Sequence, residues 1–239
     1  MAPRMPRNSS AKPHSLAAIN LGRRIVAGEW AVGSTIPTEV ELSREFGLSR
    51  PSLREAIKVL CGKGLLTAVP RVGTIVRPKQ DWNRLDPDVL AWQAQGGLNE
   101  RMVLDLFELR GIFEPPAAAL AALKATPEAR RTMLEDVILL GSADKAQSIA
   151  ADIRFHRTML EATGNQFLAA MFPVIEACLA ASFQVSRADV LPQEHLVPMH
   201  MAIARAIADS KAEAAEAAMQ ALLSRSLEDA LNAIHIVQP

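Results

Sequence analysis

Three groups of side chains in this sequence can do chemistry by their type and spacing. Asp152 and His156 stand four residues apart in "ADIRFHRTML", so on a helix they share one face. A carboxylate and an imidazole at that spacing suit one divalent cation, and they equally suit an ion pair. His200, in the later stretch "MHMAIARAIADS", is a third candidate ligand. Neutral imidazoles with a carboxylate favour Zn²⁺ and also suit Ni²⁺ or Mn²⁺. Arg110 and Glu114 form a second pair with the same spacing. Arg110 could clamp a carboxylate through two hydrogen bonds, or simply pair with Glu114 on a surface. The third group is a basic stripe. Arg50, Arg54 and Lys58 recur every four residues in "SRPSLREAIKVLCGKGLL", with Leu53, Ala56, Ile57 and Leu60 between them. A helix there is cationic on one face and apolar on the other.

The elements around the stripe give it a use. The spacing predicts a first helix over residues 15–27, carrying Leu16, Ile19, Leu21 and Ile25. "AGEWAVGSTIP" breaks it. Thr38 and Glu41 form a capping box that opens a short helix, and Gly47 ends it. Ser49 caps a third helix whose first turn takes Pro51 without loss. "LLTAVPRVGTIVRP" then reads as two strands about a turn at Pro70–Gly73. Helix, helix, turn, helix and ribbon make a winged helix-turn-helix, which lays its second helix in the DNA major groove. Arg50 and Arg54 lie on the turns that reach base edges, where arginine reads guanine. Lys58 and Arg71 meet phosphates, as do backbone N–H groups at Thr38 and Ser49. Gly73 lets the wing come close to the DNA backbone.

Charge supports the division. The chain has 239 residues and no net charge, yet residues 1–80 hold 13 Lys and Arg against 5 Asp and Glu. The remainder holds the same 13 against 21, so a basic nucleic-acid-binding part adjoins an acidic one. Apolar residues make up 49 %, aromatics only 4 %, and Tyr is absent. That is a helix-forming composition. Two cysteines far apart exclude a disulfide scaffold and suit a reducing cytoplasm. No run reaches the roughly 18 apolar residues of a membrane span. The fold class expected is mainly α. A disordered basic tail over residues 1–14 precedes the winged helix-turn-helix at 15–79. A linker with a connecting helix at 80–97 leads to a bundle of about six to seven helices at 98–237. In that bundle Pro115-Pro116 should kink or split a helix, and "QFLAAMFPVIEACLAASFQV" reads as one central helix. Further helices are expected over about 192–210 and 212–236.

The N-terminal segment closely resembles the GntR family. Its pattern is met by Pro37, Glu39, Leu42, Ser49, Arg50, Arg54, Glu55, Ala56, Leu60, Gly64, Leu65 and Gly73. Val72 departs from it, since many members carry glycine there. The resemblance implies DNA contacts at Arg50, Arg54 and the wing from Arg71 to Thr74, and a homodimer on a palindromic operator. Residues 101–231 resemble the all-helical FCD effector domain of the FadR subfamily, whose buried metal is held by one Asp and three His. Asp152, His156 and His200 match three of these. The third histidine position is Leu222, and neither His195 nor His235 aligns with it. The metal would then have open positions for a small anionic effector; alternatively the site has lost metal and these residues touch the effector directly. Arg110 and Asn165 are further effector-contact candidates. "DWNRLDPDVLAW", "EPPAAALAA" and "ADIRFH" look like the subgroup that contains the galactonate-catabolism repressor, which implies a sugar acid such as an aldonate.

The function expected is a repressor of operator DNA that responds to a small carboxylate. The alternatives are an activator, or a response to an amino acid, acyl-CoA or dicarboxylate. A metal enzyme with an appended DNA-binding domain is disfavoured, because no HExxH-type general-base motif occurs. An aminotransferase-like C-terminal domain is disfavoured by the absence of strand alternation after the wing. The convergence of Asp152, His156 and His200, if it holds in space, argues against a purely structural nucleic-acid binder.

Overall fold

The computed structural model describes residues 13–95, 99–185 and 195–237. The tail expected over residues 1–14 lies, up to residue 12, outside the described residues. The chain divides into two compact units, residues 1–97 and 98–239.

In the first unit, α1 (Pro13–Val26) begins on a proline, α2 spans Glu39–Phe46 and α3 spans Arg50–Gly62. Strands β1 (Leu66–Val69) and β2 (Gly73–Val76) pair antiparallel, with Leu66 opposite Val76 and Val69 opposite Gly73. The caps are those expected. Thr38 and Glu41 close a capping box, Gly47 takes the left-handed conformation at φ 64°, and Ser49 accepts from the Ser52 N–H. Leu53, Ala56, Ile57 and Leu60 of α3 are buried, while Arg50, Arg54 and Lys58 are exposed.

Two features go beyond the sequence pattern. The breaking segment after α1 pairs with the wing: Ile36 N–H donates to Thr74 O at 2.9 Å, and Val76 N–H to Ser34 O at 3.0 Å. In the stretch expected as linker and connecting helix, α4 (Pro87–Gln95) belongs to the core of this unit. Trp82, Val89 and Trp92 are buried with Leu21, Leu42, Leu53 and Val76. Asp86 caps α4 and pairs with Lys63, the residue after α3, Nζ to Oδ1, at 2.7 Å.

The second unit holds α5 (Glu100–Lys124), α6 (Pro127–Leu140), α7 (Lys145–Ala162), α8 (Gln166–Ala170), α9 (Phe172–Val185), α10 (Leu196–Ala208) and α11 (Ala212–Val237). Its core joins Ala117, Ala121, Met133, Phe155, Ile175, Ile203, Met219 and Leu222. One expectation is narrowed and one corrected. Of the kink or split expected at Pro115 and Pro116, the split does not occur: α5 runs unbroken for 25 residues. Each proline forgoes a helical hydrogen bond, but the next turns carry the fully buried Ala117, Ala118, Ala121 and Ala122, so packing holds the helix. The central apolar helix is instead two, α8 and α9, divided at Met171. Pro173 sits in the first turn of α9, where its ring is accommodated only if the preceding helix has ended. Arg130 of α6 ties two helix ends together: its Nη2 donates to Ala122 O at 3.0 Å and its Nη1 to Ala208 O at 2.5 Å. Such orphan C-terminal carbonyls need partners of this kind.

Candidate DNA interface and candidate metal centre

Thr38, Ser49, Arg50, Arg54, Lys58, Arg71 and Gly73 are exposed, and Thr74 is half-buried. Arg54 is held by Glu39 at the start of α2, Nη2 to Oε2 at 2.9 Å and Nε to Oε1 at 3.1 Å. The Arg54 contact is the chief cause that lowers the Glu39 carboxyl below its ordinary range, and the charge of Arg50 adds to it. Lys58 pairs with Glu55 at 2.9 Å. Arg71 stands at the wing tip with φ 65°, a left-handed conformation uncommon for a side-chain-bearing residue, and Gly73 has φ 126°. One expectation is corrected. The Thr38 backbone N–H is not available for a phosphate, because it donates to Glu41 Oε2 at 2.8 Å within the capping box. Ser49 caps α3 with its hydroxyl.

In the second unit, α7 and α10 bring Asp152, His156 and His200 together in the buried interior. One ligand atom from each lies within 4.8 Å of the others. His200 Nδ1 lies 2.8 Å from the Leu196 carbonyl oxygen. A carbonyl only accepts, so Nδ1 carries a proton, and Nε2 is the ring nitrogen turned inward. That Nε2 lies 2.9 Å from Asp152 Oδ1. Burial pushes the Asp152 carboxyl up, but His200 and the nearby charges outweigh this and hold it below its ordinary range. His200 Nε2 is nonetheless buried with no aligned hydrogen-bond partner. An inward imidazole nitrogen without an aligned hydrogen bond, beside a carboxylate held low and a second imidazole, is a donor set that fits a divalent metal.

Glu114 is the residue the sequence placed with Arg110 alone. The structure extends the pair to the cluster. Arg110 and Glu114 are 3 % and 0 % exposed, with Nε to Oε1 at 2.5 Å. Glu114 Oε2 lies 2.7 Å from His156 Nδ1. Burial pushes the Glu114 carboxyl up, but the Arg110 charge overrides it and lowers the group to about 2. An ionised carboxylate behind an imidazole turns the other ring nitrogen toward a metal. The pairing reading of Arg110 therefore holds, in buried rather than surface form.

Other predicted residues are elsewhere. Asn165 is exposed and caps α8, accepting from the Phe167 N–H at 3.0 Å. Leu222, in place of the expected histidine, is buried in the bundle core. His195 is exposed at the start of α10, and the side chain of His235 lies outside the described residues.

Comparison with known proteins agrees with this arrangement. Residues 17–76 match the bacterial regulatory proteins of the gntR family, and residues 105–225 match the FCD domain. The HTH-type transcriptional regulator YieP of Escherichia coli K12 is 34 % identical over 86 % of this chain and 90 % of its own. The chain belongs to the GntR family. A second relative of this GntR-family chain, the galactonate operon transcriptional repressor of E. coli K12, is 31 % identical over 87 % of this chain and 92 % of its own. The solved structure described by its control of the Listeria monocytogenes agr system, Lar, has a TM-score of 0.68 at 18 % identity, covering 94 % of this chain and 99 % of that one; it attests the fold. The protein is thus a DNA-binding transcriptional regulator with an FCD effector domain, and its family is one of regulators rather than enzymes. Among the described residues no helix is long and apolar enough to cross a membrane.

Proposed function

We propose that this GntR-family regulator is a cytoplasmic repressor whose operator affinity is set by a small carboxylate, of the sugar-acid class, bound beside a divalent cation, Zn²⁺ first, at Asp152, His156 and His200. The observation that carries this reading is His200 Nε2, buried without an aligned hydrogen bond 2.9 Å from the Asp152 carboxylate. When bound, the cation supplies a fixed positive charge that draws and orients a carboxylate. The Leu196 carbonyl orients the His200 ring, and Glu114, kept ionised by Arg110, stands behind His156. Leu222 supplies no donor, so three protein ligands leave room for an effector oxygen. In this reading Arg110 acts through Glu114 rather than by clamping the effector, and Asn165 serves as a helix cap.

On the DNA side, Arg50 and Arg54 read bases, and Lys58, Arg71, Thr74 and the Ser49 N–H meet phosphate, with two copies of the chain on one palindromic operator. The sugar-acid class draws support from similarity to the galactonate operon repressor and to NanR repressors such as that of Cronobacter sakazakii, 33 % identical over 82 % of this chain. Effector binding releases DNA only if the two conformations differ in effector affinity. Elemental analysis of the purified protein is expected to find about one divalent metal per chain, lost in His156→Ala. A thermal-shift screen of aldonates against dicarboxylates and amino acids then tests the effector class. If no aldonate raises the melting temperature of metal-loaded protein, the sugar-acid assignment falls.

A further inference from the structure

The recognition surface contains a carboxylate where a polyanion must dock. Glu39, the first residue of α2, holds Arg54 of α3 through two parallel hydrogen bonds of 2.9 and 3.1 Å. Both side chains are open to solvent, 59 % for Arg54 and 34 % for Glu39. An exposed pair of this kind contributes little to folding. It also costs DNA affinity, since every negative charge on this face opposes phosphate. Arg50 is near enough for its charge to act on the same carboxyl. Glu39 therefore pairs with one of the arginines assigned to base reading and feels the charge of the other.

What the pair does supply is order. A free arginine on a helix surface samples many rotamers, and fixing it on binding costs free energy. Two bonds to Glu39 hold the guanidinium by its Nε–Nη2 edge and leave Nη1 without a hydrogen bond among the described residues. The carboxylate is itself anchored, because the capping box between Thr38 and Glu41 fixes the first turn of α2. We propose that Glu39 is a specificity-determining positioning residue: it acts through Arg54, presenting the free edge of the guanidinium in one orientation to a base pair, and it lowers affinity for DNA of unrelated sequence. This rests on the reading of Arg54 as a base contact, and the test separates the two.

The full-length protein is used, with an operator obtained by selection from random duplexes and a scrambled duplex of equal length. Affinities for both are measured by fluorescence anisotropy over a range of salt, for wild type, Glu39→Gln, Arg54→Ala and the double variant. Glu39→Gln keeps size and removes charge. It is expected to bind the scrambled duplex more tightly than wild type and to lose about tenfold in the operator-to-scrambled ratio, with an unchanged melting temperature. Glu39→Gln in the Arg54→Ala background should change the ratio little further, because the two residues act as one unit. An unchanged ratio in Glu39→Gln overturns the proposal, as does an additive loss in the double variant, which would mean that Glu39 reads DNA by itself. A parallel fall in both affinities with a lowered melting temperature also overturns it, by making the role structural. If Arg54→Ala retains full discrimination, the base-reading assignment of Arg54 fails on its own account.

Discussion

At the scale of single residues, the charges buried in the helical bundle govern both stability and site geometry. Arg110 is buried and paired with Glu114, whose second oxygen lies 2.7 Å from His156 Nδ1. Removing one partner strands the other, which typically costs about 3–5 kcal/mol. Glu114→Ala is expected to destabilise by that amount in chemical denaturation, whereas Arg110→Met with Glu114→Leu should cost much less. Equal losses in the two variants would show that the ion pair, not the stranded charge, sets the cost. The two cysteines offer a second check. Burial pushes the Cys178 thiol up to about 11, against the pull of Arg110, and burial also raises the half-buried Cys61. Because the thiolate is the reactive form, iodoacetamide at neutral pH should label Cys178 only after unfolding, with Cys61 labelled first. Mass spectrometry of the native protein reads this directly, and early labelling of Cys178 contradicts it.

At the scale of elements, what lies within a few residues along the chain was legible. Thr38 with Glu41, Gly47, and Ser49 with Pro51 each specify a helix end by local chemistry, and the structure has all of them. The four-residue spacing of Asp152 and His156 was legible for the same reason. Contacts between distant residues were not. Arg54 meets Glu39 from 15 positions away and Lys63 meets Asp86 from 23. Glu114 could be paired with Arg110 from its spacing, but not with His156 on another helix. Proline was hard to read, because its cost depends on packing that spacing does not reveal. It was absorbed in α5 at Pro115 and Pro116, and it ended a helix before Pro173. The docking of α4 gives an element-scale prediction. A Cβ at Gly22 of α1 would lie 2.2 Å from the Trp92 ring. Gly22→Ala must therefore displace Trp92 from the core of the DNA-binding unit, a strain of about 1–3 kcal/mol. A lowered melting transition and a shifted tryptophan emission are expected, and wild-type values for both would contradict the packing of α4 on α1.

At the scale of the whole molecule, the neutral total charge conceals a basic DNA-binding part and an acidic effector part. In the proposed mechanism a metal and effector bound at Asp152, His156 and His200 are linked to the operator surface of the winged helix-turn-helix. Linkage of this kind is worth about 1–3 kcal/mol, or roughly 5- to 150-fold in affinity. The decisive measurement is operator affinity as aldonate is titrated, in metal-loaded protein, in protein stripped by chelator, and in stripped protein with zinc restored. The expected result is a saturable loss of operator affinity of at least about fivefold in loaded and restored protein, and none in stripped protein. The same response to aldonate with and without metal, or no response in either, would contradict the claim.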